Sequence, residues 1–133
     1  MLRYQSLLAV AIGGAVGSLT RWGVLEIAAG ADELGSGNTA DRRAVLAIFM
    51  INVLGSLLLG VLIAQRETMQ YDQFLAVGTG FAGGLTTFST FAVEVAAALD
   101  SGQFADAVTN SLGTAVIAVL AAGIGFRLGV ISR

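Results

Sequence analysis

Long apolar stretches alternate with short polar ones along this chain. Apolar spans occupy residues 2–29, 44–64, 74–99 and 104–130. Each is long enough to cross about 30 Å of hydrocarbon as an α-helix with some tilt. Almost no charged face, of the kind a surface helix of a soluble protein presents every 3.6 residues, runs through them. Any one span could be a buried core helix of a soluble protein, but four in succession leave little to face water. The pattern predicts an all-α protein with four transmembrane helices, forming one membrane domain over residues 1–133. The first span is too long for a signal-peptide core, and Gly13, Gly14, Gly17 and Arg21 interrupt it, so it is expected to stay in the mature protein.

Polar segments mark the connections. Residues 30–43, rich in Gly, Ser, Asn and Asp, read as an interfacial turn region. Residues 65–73 form the second connector, and Asp100-Ser101-Gly102-Gln103 a tight third. An even number of spans puts both termini on one side, with Arg3, Arg66, Arg127 and Arg133. The other side carries Arg42 and Arg43, with Arg21 inside or near the end of the first span. This arginine bias is shallow and commits the orientation only weakly. It suits a chain that inserts both ways and pairs antiparallel with its own copy. It equally suits an ordinary membrane protein with sparse charge.

Composition narrows the chemistry. Of 133 residues, 56% are hydrophobic and 12% charged, about half the charged fraction usual for a soluble domain. Histidine, cysteine and proline are absent, which excludes disulfides, Cys/His metal sites and the usual nucleophile–base pairs within one chain. An enzyme is not expected. The net charge is −2, with seven arginines and no lysine, so no basic nucleic-acid surface forms.

The third span holds the most informative stretch, Gly78-Thr79-Gly80-Phe81-Ala82-Gly83-Gly84-Leu85-Thr86-Thr87-Phe88-Ser89-Thr90-Phe91. Its four glycines weaken a helix, and four hydroxyl residues and two phenylalanines follow at once. A helix need not be built this way merely to cross a bilayer, whereas a broken membrane helix that holds or conducts an ion would use it. If residues 83–86 leave helical geometry, their carbonyls lose intrahelical donors and a buried cation could satisfy them. Phe88 and Phe91 lie three apart, on nearly one helix face. They form either an aromatic packing stripe or, through the partial positive charge of their ring edges, a weak site for a small desolvated anion. Ser89 and Thr90 would add hydroxyl donors.

Other polar groups inside apolar spans have two readings each. Asn52 is the strongly polar side chain of the second span; it either joins helices or donates to an anion. Arg21 either anchors a helix end by snorkelling or raises the local anion concentration in a vestibule. Asn110 and Thr114, four apart, share a face of the fourth span. Gly13 and Gly17 have small-xxx-small spacing, and Gly55, Ser56, Gly60, Gly123 and Gly125 offer further faces for close helix approach.

Three segments resemble the Fluc family, also called CrcB, of fluoride-specific ion channels. They are Gly13-Gly14-Ala15-Val16-Gly17-Ser18-Leu19-Thr20-Arg21-Trp22, Asn52-Val53-Leu54-Gly55-Ser56-Leu57-Leu58-Leu59-Gly60 and Gly83-Gly84-Leu85-Thr86-Thr87-Phe88-Ser89-Thr90-Phe91. The third is close to diagnostic, and span number and order agree along essentially the whole chain. The resemblance implies a single transmembrane channel domain with a broken third helix. It implies an antiparallel dimer in the cell membrane, multi-pass, that exports fluoride by passive and highly selective conduction. It also implies pore roles for Phe88, Phe91, Asn52, Ser89 and Thr90, and a vestibule role for Arg21. A structural sodium ion at the dimer centre would be held by the backbone carbonyls of Gly83 and Thr86, contributed twice. In the fourth span Asn110 and Thr114 are the equivalents of the family's polar track, with Ala118 where another hydroxyl would stand. The partners expected are fluoride, membrane lipid and an identical antiparallel chain, or a paired non-identical subunit as in some relatives.

Two other classes fit part of the pattern. A small proton-coupled multidrug exporter would want an acidic group in its substrate chamber; Glu94 is deep enough, while Glu26 lies nearer an interface. A structural membrane assembly protein would account for the small-residue faces but not for polar groups gathered beside Phe88 and Phe91.

Overall fold

Lipid offers no hydrophobic drive between helices, so a bundle of apolar helices must hold together by close packing and interhelical hydrogen bonds. Both are visible in a computed structural model of the chain, which describes residues 3–29 and 37–132. Helix α1 spans Tyr4–Ala29 and α2 spans Gly37–Ala64. The third membrane span is split. Its first half, α3, runs over residues 71–85 as three continuous pieces: Tyr71–Phe74, a wider π-helical stretch at Leu75–Ala82, and Gly83–Leu85. Its second half is α4, Phe88–Asp100, and α5 follows at Phe104–Ile131. Four spans, Tyr4–Ala28, Arg42–Ala64, Tyr71–Asp100 and Phe104–Ile131, are long and apolar enough to cross a membrane. The protein is a multi-pass membrane protein.

The second helix begins earlier than its apolar run. Residues 37–43, expected in a turn, are its first two turns, while 30–36 lie outside the described residues. Polar side chains are tolerated there because a helix end at the membrane surface needs no apolar face. The third connector is as tight as expected. Gly102 has φ 74° and follows Ser101 at the end of α4. The Gln103 amide donates to the Ala98 carbonyl at 2.8 Å and Gly102 to Leu99 at 3.1 Å, a Schellman closure that turns the chain straight into α5.

Two helix pairs carry the packing: α1 lies against α3, and α2 against α5. Glycine makes both possible. A Cβ on Gly13 would collide with the Ala76 carbonyl, and one on Gly17 with the Phe81 carbonyl. Gly80 and Gly84 reciprocate from α3; added Cβ atoms there would reach the Val10 carbonyl at 2.9 Å and the Gly14 carbonyl at 2.5 Å. In the other pair, Gly60 faces the backbone of Ala122 and Gly125 that of Leu57. Gly123 has open space around it, so among the described residues it makes none of the close packing expected of it. The buried apolar side chains, Ile48, Ile51, Leu62, Ala64, Ala82, Ala107 and Ala121, are mostly small, as backbone-to-backbone contact requires. Most of the large apolar residues point outward instead, among them Leu7, Ile12, Leu54, Val119 and Ile124. That is the inverse of a water-soluble bundle and suits an exterior of lipid.

Candidate functional site: the break in the third span

The interruption falls at Thr86 and Thr87, not over residues 83–86. Gly83 keeps helical angles (φ −66°, ψ −37°). Thr86 is extended (φ −75°, ψ 153°), and so is Thr87 (φ −146°, ψ 117°). The four glycines expected to loosen the helix stay wound, and two of them, Gly80 and Gly84, serve the approach of α1 as wound positions. Two threonines open instead, because side chains elsewhere in the protein take over their backbone groups.

Asn52 does most of this. Its Oδ1 accepts from the Thr87 amide at 2.9 Å, and its Nδ2 donates to the Thr87 carbonyl at 3.1 Å. One side-chain amide thus replaces both helical partners of a single residue, an exchange that offsets the cost of two buried unmade hydrogen bonds, about 1–3 kcal/mol each. In an unbroken helix the Thr87 amide would serve the Gly83 carbonyl. Arg21, reaching across from α1, donates from Nη1 to the Thr86 carbonyl at 3.1 Å. Ser18 Oγ lies 3.5 Å from the Gly84 carbonyl. On α2, a Cβ at Gly55 would collide with Thr86 Cγ2, so that glycine makes room for the threonine methyl.

Thr87 then restarts the helix. Its Oγ1 accepts from the Thr90 amide at 3.2 Å, the capping contact of a helix N-terminus. The same oxygen lies 3.2 Å from Ser89 Oγ and 3.1 Å from Thr90 Oγ1, so three hydroxyls share one cluster at the head of α4. Phe88 and Phe91 follow with ring centroids 5.8 Å apart and planes tilted by 49°. Phe88 is 78% exposed in the single chain, on the open side of the break.

A cavity of about 520 Å³ opens there between α2, both halves of the third span and α5. It gathers Asn52, Gly83, Thr86, Phe88, Phe91 and Thr114 among its lining residues. Ser89 and Thr90 stand apart from this lining in the hydroxyl cluster around Thr87. Arg21 meets the site from the opposite side of α3, through the Thr86 carbonyl. Asn110 lines a second cavity of about 470 Å³, together with Arg42, Glu94 and Asp106. Thr114 Oγ1 donates to Asn110 Oδ1 at 3.2 Å, which links the linings of the two cavities along one face of α5. Glu94 Oε2 is buried without a hydrogen-bond partner among the described residues.

Thr87 is the residue that sequence reasoning left out of the site. Its signal was present: a threonine directly before the apolar-periodic run Phe88, Phe91, Ala92 and Val95 is an N-cap pattern. The π-helical stretch carries no comparable signal, because Leu75–Ala82 is as apolar as an α-helical segment would be.

The geometry can do two things. Polar hydrogens and aromatic rims border one cavity, which suits a small anion. The Gly83 carbonyl has lost the Thr87 amide as donor, which suits a hard cation.

Comparison with known proteins bears on the anion. Residues 8–126 match the family described as CrcB-like protein, Camphor Resistance (CrcB). The chain is 36% identical over 126 residues to the fluoride-specific ion channel FluC 2 of Rhodococcus jostii, covering 93% of this chain and 98% of that one. It is 37% identical over 124 residues to the fluoride-specific ion channel FluC of Serratia proteamaculans, covering 88% and 91%. It is 39% identical over 122 residues to the fluoride-specific ion channel FluC 2 of Natronomonas pharaonis, covering 92% of each. These relatives are channels and not enzymes. With its four spans, its split third helix and a match over nearly its whole length, this cell-membrane protein belongs to the CrcB family of fluoride channels.

Proposed function

We propose that the chain forms an antiparallel dimer that conducts fluoride passively and selectively out of the cell. The observation that carries this reading is the Asn52–Thr87 exchange, which opens the third span beside Phe88 and Phe91 and borders the resulting cavity with donors and aromatic rims. Fluoride would shed water and pass between ring edges and the second Nδ2 hydrogen of Asn52, with Ser89 and Thr90 turning toward it from the hydroxyl cluster around Thr87, and Thr114 doing so by releasing Asn110, which extends the track. Chloride, being larger, would fit this path poorly. The exposed Phe88 ring and the open side of the cavity supply a face that a second copy of the chain, or a paired non-identical subunit, would cover. Arg21 would act through its charge on the anion's approach and through its bond to the Thr86 carbonyl.

A sodium ion at the dimer centre fits the residues present. The Gly83 carbonyl is short of its helical donor, and the Thr86 carbonyl, although bonded to Arg21, has a second lone pair to offer. When bound, sodium would neutralise the convergent carbonyl dipoles. Gly83 and Thr86 would hold it, and Arg21 would fix the direction of the Thr86 carbonyl.

Liposomes carrying the purified chain test the function. Fluoride should leave them without a proton gradient while chloride stays; equal release of the two would sink the selectivity claim. Release that required a proton gradient would favour the exporter, for which the unpartnered Glu94 oxygen is the supporting feature. Phe88→Ile keeps apolar bulk but removes the positive ring edge. It should cut fluoride release about tenfold, within the range of aromatic contact energies, and leave dimer formation intact by size-exclusion chromatography. Unchanged release would remove that ring from the mechanism.

A further inference from the structure

We infer that Arg66 and Phe74 form an anion-collecting site at the far end of the first cavity, distinct from the Asn52 and Phe88 region. It rests on the reading that the chain conducts fluoride. Arg66 lies in the turn after α2, exposed, and its guanidinium carbon stands 5.5 Å from the centroid of the Phe74 ring. Phe74 in turn borders the cavity that contains Asn52, Phe88 and Phe91. Gly78, one turn further on, also borders it, and an added Cβ there would come within 3.3 Å of Phe74 Cε2 and Cζ. The ring is therefore set by a cation on one face and a bare backbone beside it.

Each part has a physical consequence. A cation over a ring face draws π density toward itself, which leaves the ring's edge hydrogens more positive. An anion at the cavity mouth then meets two graded attractions, the guanidinium charge first and the aromatic edge next. Thr87 is thirteen residues beyond Phe74, on the order of 20 Å along a helix axis, so this is the outer end of the path and not its constriction. Glu67 and Asp72 are the acidic residues at the same end. Asp72 accepts from Ser6 Oγ at 2.7 Å, which ties α1 to α3 there. Against that acidic background Arg66 raises the local anion concentration at the mouth only where salt does not screen it.

Salt dependence provides the test, using the full chain in liposomes. Fluoride release is measured for the unmodified protein, Arg66→Gln, Phe74→Leu and the double variant, at about 10 mM and about 1 M ionic strength, where the Debye length is about 30 Å and about 3 Å. At the lower strength Arg66→Gln should release fluoride about threefold more slowly than the unmodified chain, and at the higher strength equally fast. Phe74→Leu should lose at least as much at the lower strength, because the ring both holds the guanidinium and supplies an edge, and should keep only a smaller, unscreened deficit at the higher one; the double variant should be no slower than Phe74→Leu alone. Equal rates at low ionic strength would overturn the site. A deficit of the same size at both strengths would also overturn it, since that is what loss of structure alone produces. If the unmodified chain released no fluoride at either strength, the conduction reading itself would fall, a result distinct from a conducting protein that ignores Arg66.

Discussion

Asn52→Asp is expected to slow fluoride release from liposomes by about a hundredfold or more. The substituted carboxylate keeps an acceptor for the Thr87 amide but loses the donor to the Thr87 carbonyl, now given at 3.1 Å. The larger effect is its charge. A negative group about 5 Å from a passing anion, at an effective dielectric constant of about 20, opposes it by roughly 3 kcal/mol, and each 1.4 kcal/mol is tenfold. The missing donor adds about 1–3 kcal/mol against the break itself, so the variant should also melt lower in detergent. Asn52→Leu separates the two contributions: it removes both hydrogen bonds but adds no charge. If the aspartate variant ran at the unmodified rate, Asn52 would be a helix fastener with no place in the ion path.

Gly17→Val should lower the amount of folded protein severalfold. A Cβ at this position collides with the Phe81 carbonyl and lies 2.9 Å from the Leu85 amide nitrogen. These are backbone atoms, which cannot rotate away, so α1 would have to leave α3. That separation also withdraws Arg21 from the Thr86 carbonyl and Ser18 from Gly84. Overpacking of a tight contact costs about 1–3 kcal/mol, and the coupled losses add to it. The yield of monodisperse protein after detergent extraction should fall severalfold. Gly23→Ala is the matched control on the same helix, where nothing lies within 4 Å of an added Cβ. Alanine is the better helix former by about 1 kcal/mol, so this variant should extract as well as the unmodified chain or better. Equal behaviour of the two variants would mean that close approach of α1 and α3 is not what holds the bundle.

Much of this was legible in the residues because the physics is local. A bilayer imposes span length on any apolar helix, and four spans follow from counting. Small residues at helical spacing announce backbone contact, as Gly13 and Gly17 do. Asn52 declared itself by being a lone amide in hydrocarbon, and the polar and aromatic run after Leu85 placed the break within a few residues. The exact opening was not legible. Glycine composition pointed to 83–86, but whether a helix opens depends on which groups elsewhere can replace its hydrogen bonds. Asn52 is 35 residues from Thr87, and Arg21 is 65 from Thr86, so neither partnership leaves a trace in local sequence. Residues 37–43 were misplaced for the opposite reason: polarity there reports the membrane surface, and a helix passes through that surface without changing its winding. The division of the polar residues between two cavities is likewise a property of packing, since Asn110 and Thr114 share a face yet line different spaces.

The bare backbone contacts between α1 and α3 and between α2 and α5 have a consequence for how this sequence can vary. Outward positions such as Leu7, Ile12, Val119 and Ile124 are exposed in the single chain and hold no helix pair together, so any aliphatic residue should serve there about equally well. A library randomised over those sites should retain most of its members. One randomised at Gly13, Gly17, Gly60 and Gly125 should lose nearly all. The instructions for assembling the bundle are thus written largely in the residues that have no side chain.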